Sequence, residues 1–207
     1  MGQDPAFAAL VSLACHDLRT PLATVHGFAR VLTRMEGLDE PLPRYLGMMS
    51  AASDQMGELL DELGLVARIE SGRWEPASRD VDTLELARAA AERVSGAEIA
   101  VEGVGTQTTL DAGAAERALA GYARCAVRFG GVDRLELLVD GVTVSLGPVT
   151  PDAAPILAGE VVRDLGAAIA ARVVDALGGS VALEGEALVV RLPRAPAGST
   201  SGPGGAG

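Results

Sequence analysis

The sequence predicts an α+β protein in which an antiparallel helical hairpin precedes a layered α/β domain. In the first 70 residues, apolar side chains recur every three or four positions along two long segments, which is the period of amphipathic helices. A turn rich in glycine and proline separates these two segments. The rest of the chain mixes short apolar strands with helical segments, an order typical of helices packed on a sheet.

The composition argues against several classes of protein. All 17 basic residues are arginine, and the chain contains no asparagine. The net charge of -11 argues against nucleic acid and anionic membranes as partners. No apolar run reaches about 18 residues, and the N-terminus does not have the form of a signal peptide. We therefore expect a cytoplasmic protein without membrane insertion, in which Cys15 and Cys125 are reduced, buried thiols.

The hairpin is predicted to consist of helices over residues 6–35 and 44–69, joined by a turn over residues 37–43. The first helix carries an apolar stripe formed by Leu10, Ala14, Leu18, Leu22, Val25, Ala29 and Leu32. A single hairpin leaves a wide apolar face uncovered. Pairing two hairpins into a four-helix bundle covers this face, so we expect a homodimer.

The later elements are predicted from local signals. They are a strand leading into a helix over 81–94, strands over 99–104 and 106–110, a helix over 112–129, strands over 135–139 and 142–146, a helix over 158–177, and strands over 181–183 and 188–192. Asp111 is a helix N-cap, and Asp140-Gly141 is a hairpin turn. The chain thus divides into a hairpin (1–71), a linker (72–80), an α/β sandwich (81–194) and a disordered tail (195–207).

One stretch of the first helix, residues 16–22, carries the clearest chemical signal. Helical geometry places His16 opposite the apolar stripe, with Asp17 beside it and Thr20 one turn further on the same face. Pro21 has no N–H for the Asp17 carbonyl, which predicts a bend. An exposed imidazole beside a carboxylate is nucleophilic near neutral pH, and a phosphoryl group is one electrophile that it could accept. A surface histidine on an amphipathic helix fits the same pattern.

The sequence His-Asp-Leu-Arg-Thr-Pro-Leu at residues 16–22 resembles the H-box of the sensor histidine kinases. The resemblance implies that His16 is the phosphoacceptor and that Asp17 orients the imidazole or acts as acid and base. Arg19 is expected to pair with a carboxylate. Thr20 would position a water that hydrolyses a phospho-aspartate, although a bond back to a carbonyl one turn earlier fits equally well. His26 lacks an acidic neighbour in the sequence and is expected to be an ordinary surface residue.

The elements after residue 80 resemble, in their order, the ATP-binding domain of the same family. Residues 164–170 and 175–179 are similar to its glycine-containing motifs. The Asn that holds Mg²⁺ in that family aligns with Cys125, a preceding Asn position aligns with Gly121, and the Asp that binds adenine is missing around Leu146. A thiol is a poor ligand for Mg²⁺. We therefore expect a degenerate domain with no nucleotide-binding residues, no metal ligands and no cofactor of its own.

A retained acceptor histidine beside a degenerate nucleotide site resembles the dimeric histidine phosphotransferases. This resemblance implies a phosphorelay through His16 between the aspartates of response-regulator receiver domains, with Mg²⁺ supplied by the receiver. The receiver is expected to dock around His16, with Val11, Leu13 and Cys15 as apolar contacts. Two alternatives stay open: a divergent sensor histidine kinase that uses ATP, and a non-catalytic dimeric scaffold that binds a receiver domain.

Overall fold

A computed structural model of the protein describes residues 5–34, 42–161 and 163–194. In the two long helices it gives the backbone but not the side chains of residues 5–14, 16, 17, 20, 21, 45, 55 and 59. The predicted tail, residues 195–207, and most of the predicted turn, residues 37–43, lie outside the described residues.

The first two helices form the predicted antiparallel hairpin. Helix α1 spans Pro5–Thr33 and helix α2 spans Leu42–Glu70. Small and aliphatic side chains are buried where the helices meet, among them Cys15 and Ala29 of α1 and Leu46 of α2. Small residues such as these let two helix backbones approach closely, so the hairpin is held by side-chain packing.

Much of the predicted apolar stripe of α1 is not buried in the single chain. Leu18 is 55% exposed and Val25 is 44% exposed, although Ala29 of the same stripe is buried. The expectation of a core stripe is therefore wrong for one chain taken alone. The physical reason is geometric, since α2 covers only one side of α1 and the stripe is wider than that contact.

The C-terminal domain contains a two-stranded and a five-stranded sheet. The strands are β1 (Arg79–Asp82), β2 (Glu98–Gly105), β3 (Gln107–Leu110), β4 (Arg134–Gly141), β5 (Thr143–Gly147), β6 (Ser180–Glu184) and β7 (Ala187–Arg191). β1 pairs with β3, and the larger sheet has the order β2-β4-β5-β7-β6. β2 and β4 are parallel, whereas the other pairs are antiparallel. The sheet is therefore mixed.

Four helices complete this domain: α3 (Thr83–Glu92), α4 (Ala112–Gly130), α5 (Ala154–Leu157) and α6 (Leu165–Ala176). Along β4, Leu135, Leu137 and Val139 are buried while the residues between them are exposed, so only one sheet face is covered. The buried residues of α4 and α6 belong to the same apolar cluster as these strand residues. The α/β sandwich predicted from the sequence is confirmed.

The predicted helix over residues 158–177 is wrong in its first part. α5 ends at Leu157, and α6 begins only at Leu165. The Oδ1 atom of Asp164 accepts a hydrogen bond of 2.9 Å from the backbone N–H of Ala167, which is an N-cap that starts a new helix. Asp111 caps α4 in the same way, as predicted.

The end of α2 packs against the C-terminal domain. Leu65 belongs to the buried apolar cluster of that domain, and Trp74 packs against the cluster from the segment after α2. Nη2 of Arg124 in α4 donates a hydrogen bond of 3.1 Å to Oε1 of Glu62 in α2. This part of α2 therefore makes both apolar and charged contacts with the domain.

Candidate functional site

The seven residues that resemble an H-box lie in the middle of α1. The sequence predicts a bend at Pro21. The structure has one continuous helix through this residue, so Pro21 does not end the helix. The side chains of His16, Asp17, Thr20 and Pro21 are outside the described part of the structure. Their backbone positions nevertheless define which side of the helix each residue occupies.

The register of α1 places His16 on an exposed side of the hairpin. At about 100° per residue, Ala23 and Gly27 lie within about 20° of His16 around the helix axis. Both are exposed. The backbone thus places His16 at one end of a solvent-facing strip, away from the contact between α1 and α2.

Two neighbours of His16 face α2. Arg19 forms an ion pair with Asp61 of α2, in agreement with the expectation that it pairs with a carboxylate. Cys15 is only 5% exposed, and burial raises the pKa of its thiol. The expectation that Cys15 lies near the exposed face is therefore wrong. Cys15 lies about 100° around the helix axis from His16, and this rotation places it in the contact between the two helices. The side chains of Val11 and Leu13 are not described.

An apolar groove lies on the other side of α1. Its volume is about 440 Å³, and its lining includes Leu18 and Val25 of α1, Met56 and Leu60 of α2, and Leu165 at the start of α6. The exposed part of the predicted stripe faces this groove. Exposed apolar surface of this kind marks a binding surface in soluble proteins.

His26 has a partner that sequence reasoning missed. Its Nδ1 atom lies 3.0 Å from Oδ1 of Asp54 in α2. The prediction of an ordinary surface histidine considered only neighbours along the chain. The register of the hairpin supplies the missing signal. Residues 26 and 54 lie equally far from position 40 in the sequence, and so do the paired residues 19 and 61.

The positions that align with the nucleotide site are tightly packed. A Cβ atom added to Gly121 of α4 would lie 3.0 Å from the carbonyl oxygen of Gly166 in α6, so the two backbones are nearly in contact. Cys125, one turn further along α4, is completely buried. Burial raises the pKa of its thiol to about 12, which keeps it protonated at neutral pH. Leu146 is buried in β5.

Two further features concern only the described residues. No three His, Cys, Asp or Glu side chains among them form a cluster that could hold a metal ion. A search of the same residues finds no helix with the length and hydropathy needed to cross a membrane.

Comparison with known proteins identifies the N-terminal region. Residues 8–72 match the His Kinase A (phospho-acceptor) domain. The probable sensor histidine kinase TcrY of Mycobacterium tuberculosis is 32% identical over 90 residues, which cover 44% of this chain and 18% of TcrY. The chain thus spans less than a fifth of the length of this relative.

Solved structures extend the similarity to the C-terminal domain. Full-length ShkA in complex with AMPPNP is 28% identical, with a TM-score of 0.61, over 91% of this chain and 47% of ShkA. The Acinetobacter baumannii histidine kinase AdeS shares the fold at 18% identity, with a TM-score of 0.53, over 86% of this chain and 96% of AdeS. The chain therefore has the architecture of a histidine kinase core: a His Kinase A phosphoacceptor domain followed by a domain with the fold of the histidine kinase ATP-binding domain.

Proposed function

We propose that this chain is a dimeric histidine phosphotransfer protein that does not phosphorylate itself from ATP. His16 takes a phosphoryl group from the phospho-aspartate of one receiver domain and passes it to the aspartate of another. The observation that carries this proposal is the close approach of α4 to α6 at Gly121 and Gly166, at the positions that align with a nucleotide site.

The residues at these positions do not fit a magnesium–nucleotide complex. Mg²⁺ takes oxygen ligands in nearly ideal octahedral geometry. Cys125 offers a buried, protonated thiol, and Gly121 and Leu146 offer no side-chain ligand at all. A Cβ atom on Gly121 would lie 3.0 Å from the carbonyl oxygen of Gly166, so a side chain at this position would require the neighbouring backbone to shift by a few tenths of an ångström. The domain therefore serves as a structural part of the protein rather than as a source of phosphate.

The chemistry at His16 needs no nucleotide. One nitrogen of the neutral imidazole attacks the phosphorus of the phospho-aspartate, a P–N bond forms, and the P–O bond to the receiver carboxylate breaks. Asp17, the next residue, would stabilise the cationic phospho-imidazole. The reverse step loads a second receiver. Mg²⁺ would come with the receiver, and Thr20 would allow the same surface to hydrolyse a phospho-aspartate by positioning a water.

The exposed strip that begins at His16 suits the docking of a receiver. Its middle contains the small residues Ala23 and Gly27, which leave room for another protein. Arg30 and Arg34 lie toward its far end, and no described carboxylate forms an ion pair with either of them. A receiver that binds Mg²⁺ presents carboxylates, which these two arginines would attract.

The apolar groove beside α1 supports a dimer. Leu18 and Val25 are about half exposed in one chain. A second hairpin packed against this groove would bury them and complete a four-helix bundle. His16 lies on a different side of α1 and would stay accessible in that dimer.

The relay is tested by mixing the protein with a receiver domain that has been phosphorylated beforehand. We expect an acid-labile phosphoryl group on the peptide that contains His16, and complete loss of this label in His16→Ala. Arg68→Gln, which changes an exposed arginine elsewhere on α2, serves as the control and should transfer normally. Unchanged signalling by His16→Ala would instead support the scaffold alternative.

An ATP-dependent sensor kinase is the second candidate, because ShkA, at 28% identity, was solved with AMPPNP. It predicts that labelled ATP and Mg²⁺ phosphorylate the protein in the absence of any receiver. We expect no label above the level of His16→Ala in this experiment. Saturable labelling that depends on Mg²⁺ and on His16 would contradict the proposed relay function.

A further inference from the structure

His26 and Asp54 form a second imidazole–carboxylate pair in the hairpin. The Nδ1 and Oδ1 atoms are 3.0 Å apart, and the two side chains are 25% and 58% exposed. A carboxylate at this distance holds the imidazole proton on Nδ1 and leaves the lone pair on Nε2. The pair thus meets the chemical requirement for an oriented nucleophile, which is the requirement that Asp17 is expected to meet for His16.

A basic groove adjoins this pair. It has a volume of about 310 Å³ and is lined by Arg30 and Thr33 of α1, by Arg34 directly after this helix, and by Gly47 and Ser50 of α2. Arg30 lies one turn after His26, and Ser50 lies one turn before Asp54. The groove is therefore one helical turn away from the His26–Asp54 pair on both helices. Neither arginine has an ion-pair partner in the part of the chain that the structure describes. Two arginines without an ion-pair partner among the described residues favour the binding of an anion there.

The two histidines define separate sites. They are ten residues apart on one helix, which corresponds to about 15 Å along its axis. Neither imidazole can therefore touch a phosphoryl group bound to the other. Any reaction at His26 must use its own carboxylate and its own cations.

We propose that His26 is a second phosphoryl acceptor, oriented by Asp54 and assisted by Arg30. Its donors are acyl phosphates and phosphoramidates. The Nε2 lone pair attacks phosphorus, and the bond to the leaving carboxylate or ammonia breaks with its electron pair. Nδ1 keeps its proton, so the product is a phospho-imidazolium whose positive charge faces the Asp54 carboxylate. Arg30 neutralises the phosphoryl oxygens.

The composition of the chain makes this proposal easy to test. The chain contains two histidines, so His16→Ala leaves His26 as its one imidazole. We incubate the full-length His16→Ala protein with phosphoramidate, a small donor that needs no receiver, and locate the phosphoryl group by mass spectrometry. We expect an acid-labile phosphoryl group on the peptide that contains His26, and none in the variant that also carries His26→Ala.

The roles of the neighbours are tested in the same His16→Ala background. Asp54→Asn should slow labelling by about tenfold, the lower end of what loss of an orienting partner costs a histidine ligand. Glu58→Gln, one turn further along α2, is the matched control and should label at the parent rate. Arg30→Gln should slow labelling severalfold, whereas Arg68→Gln should not. Circular dichroism verifies that each variant is folded.

Two outcomes would overturn the proposal. One is the absence of label in folded His16→Ala protein. The other is equal labelling with and without Asp54, which would make His26 an ordinary reactive surface imidazole. Transfer from a phosphorylated receiver to His16 in the His26→Ala variant is measured separately, so the relay at His16 stands or fails independently of His26.

Discussion

The hairpin and the C-terminal domain differ in how completely they bury their large apolar side chains. In the C-terminal domain, the large strand residues of one sheet face are almost completely buried. The hairpin instead leaves many large apolar side chains exposed: Leu18, Val25, Phe28, Val31, Leu32, Leu42, Met48, Met49 and Met56. The domain buries a large apolar core within one chain, whereas the hairpin buries only part of its apolar residues. The proposed dimer would cover part of the apolar surface that the hairpin leaves exposed.

The two regions also differ in which residues of the family motifs they retain. The hairpin retains every residue of the resemblance to an H-box, although its core is incomplete. The C-terminal domain retains the fold, although the positions that align with ligand contacts hold Gly121, Cys125 and Leu146. A fold survives the loss of its ligand site when the replacing residues pack well. The proposed function treats buried Cys125 and the close contact at Gly121 as such replacements.

The largest expected effect tests whether the hairpin depends on a second copy. We expect the double change Leu18→Arg and Val25→Arg to weaken dimerisation by about 4 kcal/mol, roughly a thousandfold, because four half-exposed aliphatic side chains per dimer would lose their burial. Analytical ultracentrifugation measures the dissociation constant. Val104→Arg, at an exposed valine of β2, is the control. An unchanged dimer would place the interface elsewhere.

The next effect tests the packing of the C-terminal domain. Gly121→Val should lower the free energy of unfolding by about 3 kcal/mol, because overpacking forces α4 away from Gly166. Gly113→Val, also on α4, meets side-chain atoms of Arg117 and Asp111, each at an ordinary contact distance of 3.7 Å, and should change stability by less than about 0.5 kcal/mol. Urea denaturation followed by Trp74 fluorescence gives both values. Similar effects at the two glycines would show that the helices are not tightly packed there.

A smaller effect tests the charged contact between the two regions. Glu62 is buried, and its Oε2 atom has no hydrogen-bond partner among the described residues. Arg124→Gln would leave this carboxylate without its cation, which should cost about 2 kcal/mol at pH 7, since Arg124 itself is partly exposed. Arg88→Gln, which breaks an exposed pair with Glu85, should cost less than about 0.5 kcal/mol. Equal losses of stability would mean that the Glu62–Arg124 contact contributes no more to the free energy of unfolding than an exposed ion pair.

The smallest effect concerns the pH dependence of the same contact. Burial raises the pKa of Glu62 above its usual 4.5, despite the attraction of Arg124. The folded state therefore favours the protonated carboxyl, and this contribution to stability is lost as the pH rises through the folded-state pKa. Stability of Glu62→Gln relative to the parent should therefore increase from pH 4 to pH 7. Denaturation curves at several pH values measure this trend, and a trend of opposite sign would contradict it.

Local rules explain what could be predicted of the fold. The long helical periods, the N-cap at Asp111 and the hairpin turn at Asp140-Gly141 each involve residues only a few positions apart, and the structure has all of them. The helix over 158–177 failed because apolar residues in that segment continued the helical pattern. The cap at Asp164, also a local signal, competes with that pattern and starts a new helix.

The candidate site, like the fold, was predictable only in features set by residues close together in the sequence. The sequence alone determined the order of elements, the place of His16 on α1 and the absence of asparagine and lysine, because these depend on residue identity and on short-range periodicity. Only the tertiary structure decided that Asp54 meets His26, that Gly121 meets Gly166 and that Glu62 is buried against Arg124. Such contacts join residues far apart in the chain, and the free energy that selects them comes from packing whole elements together rather than from the residues beside them.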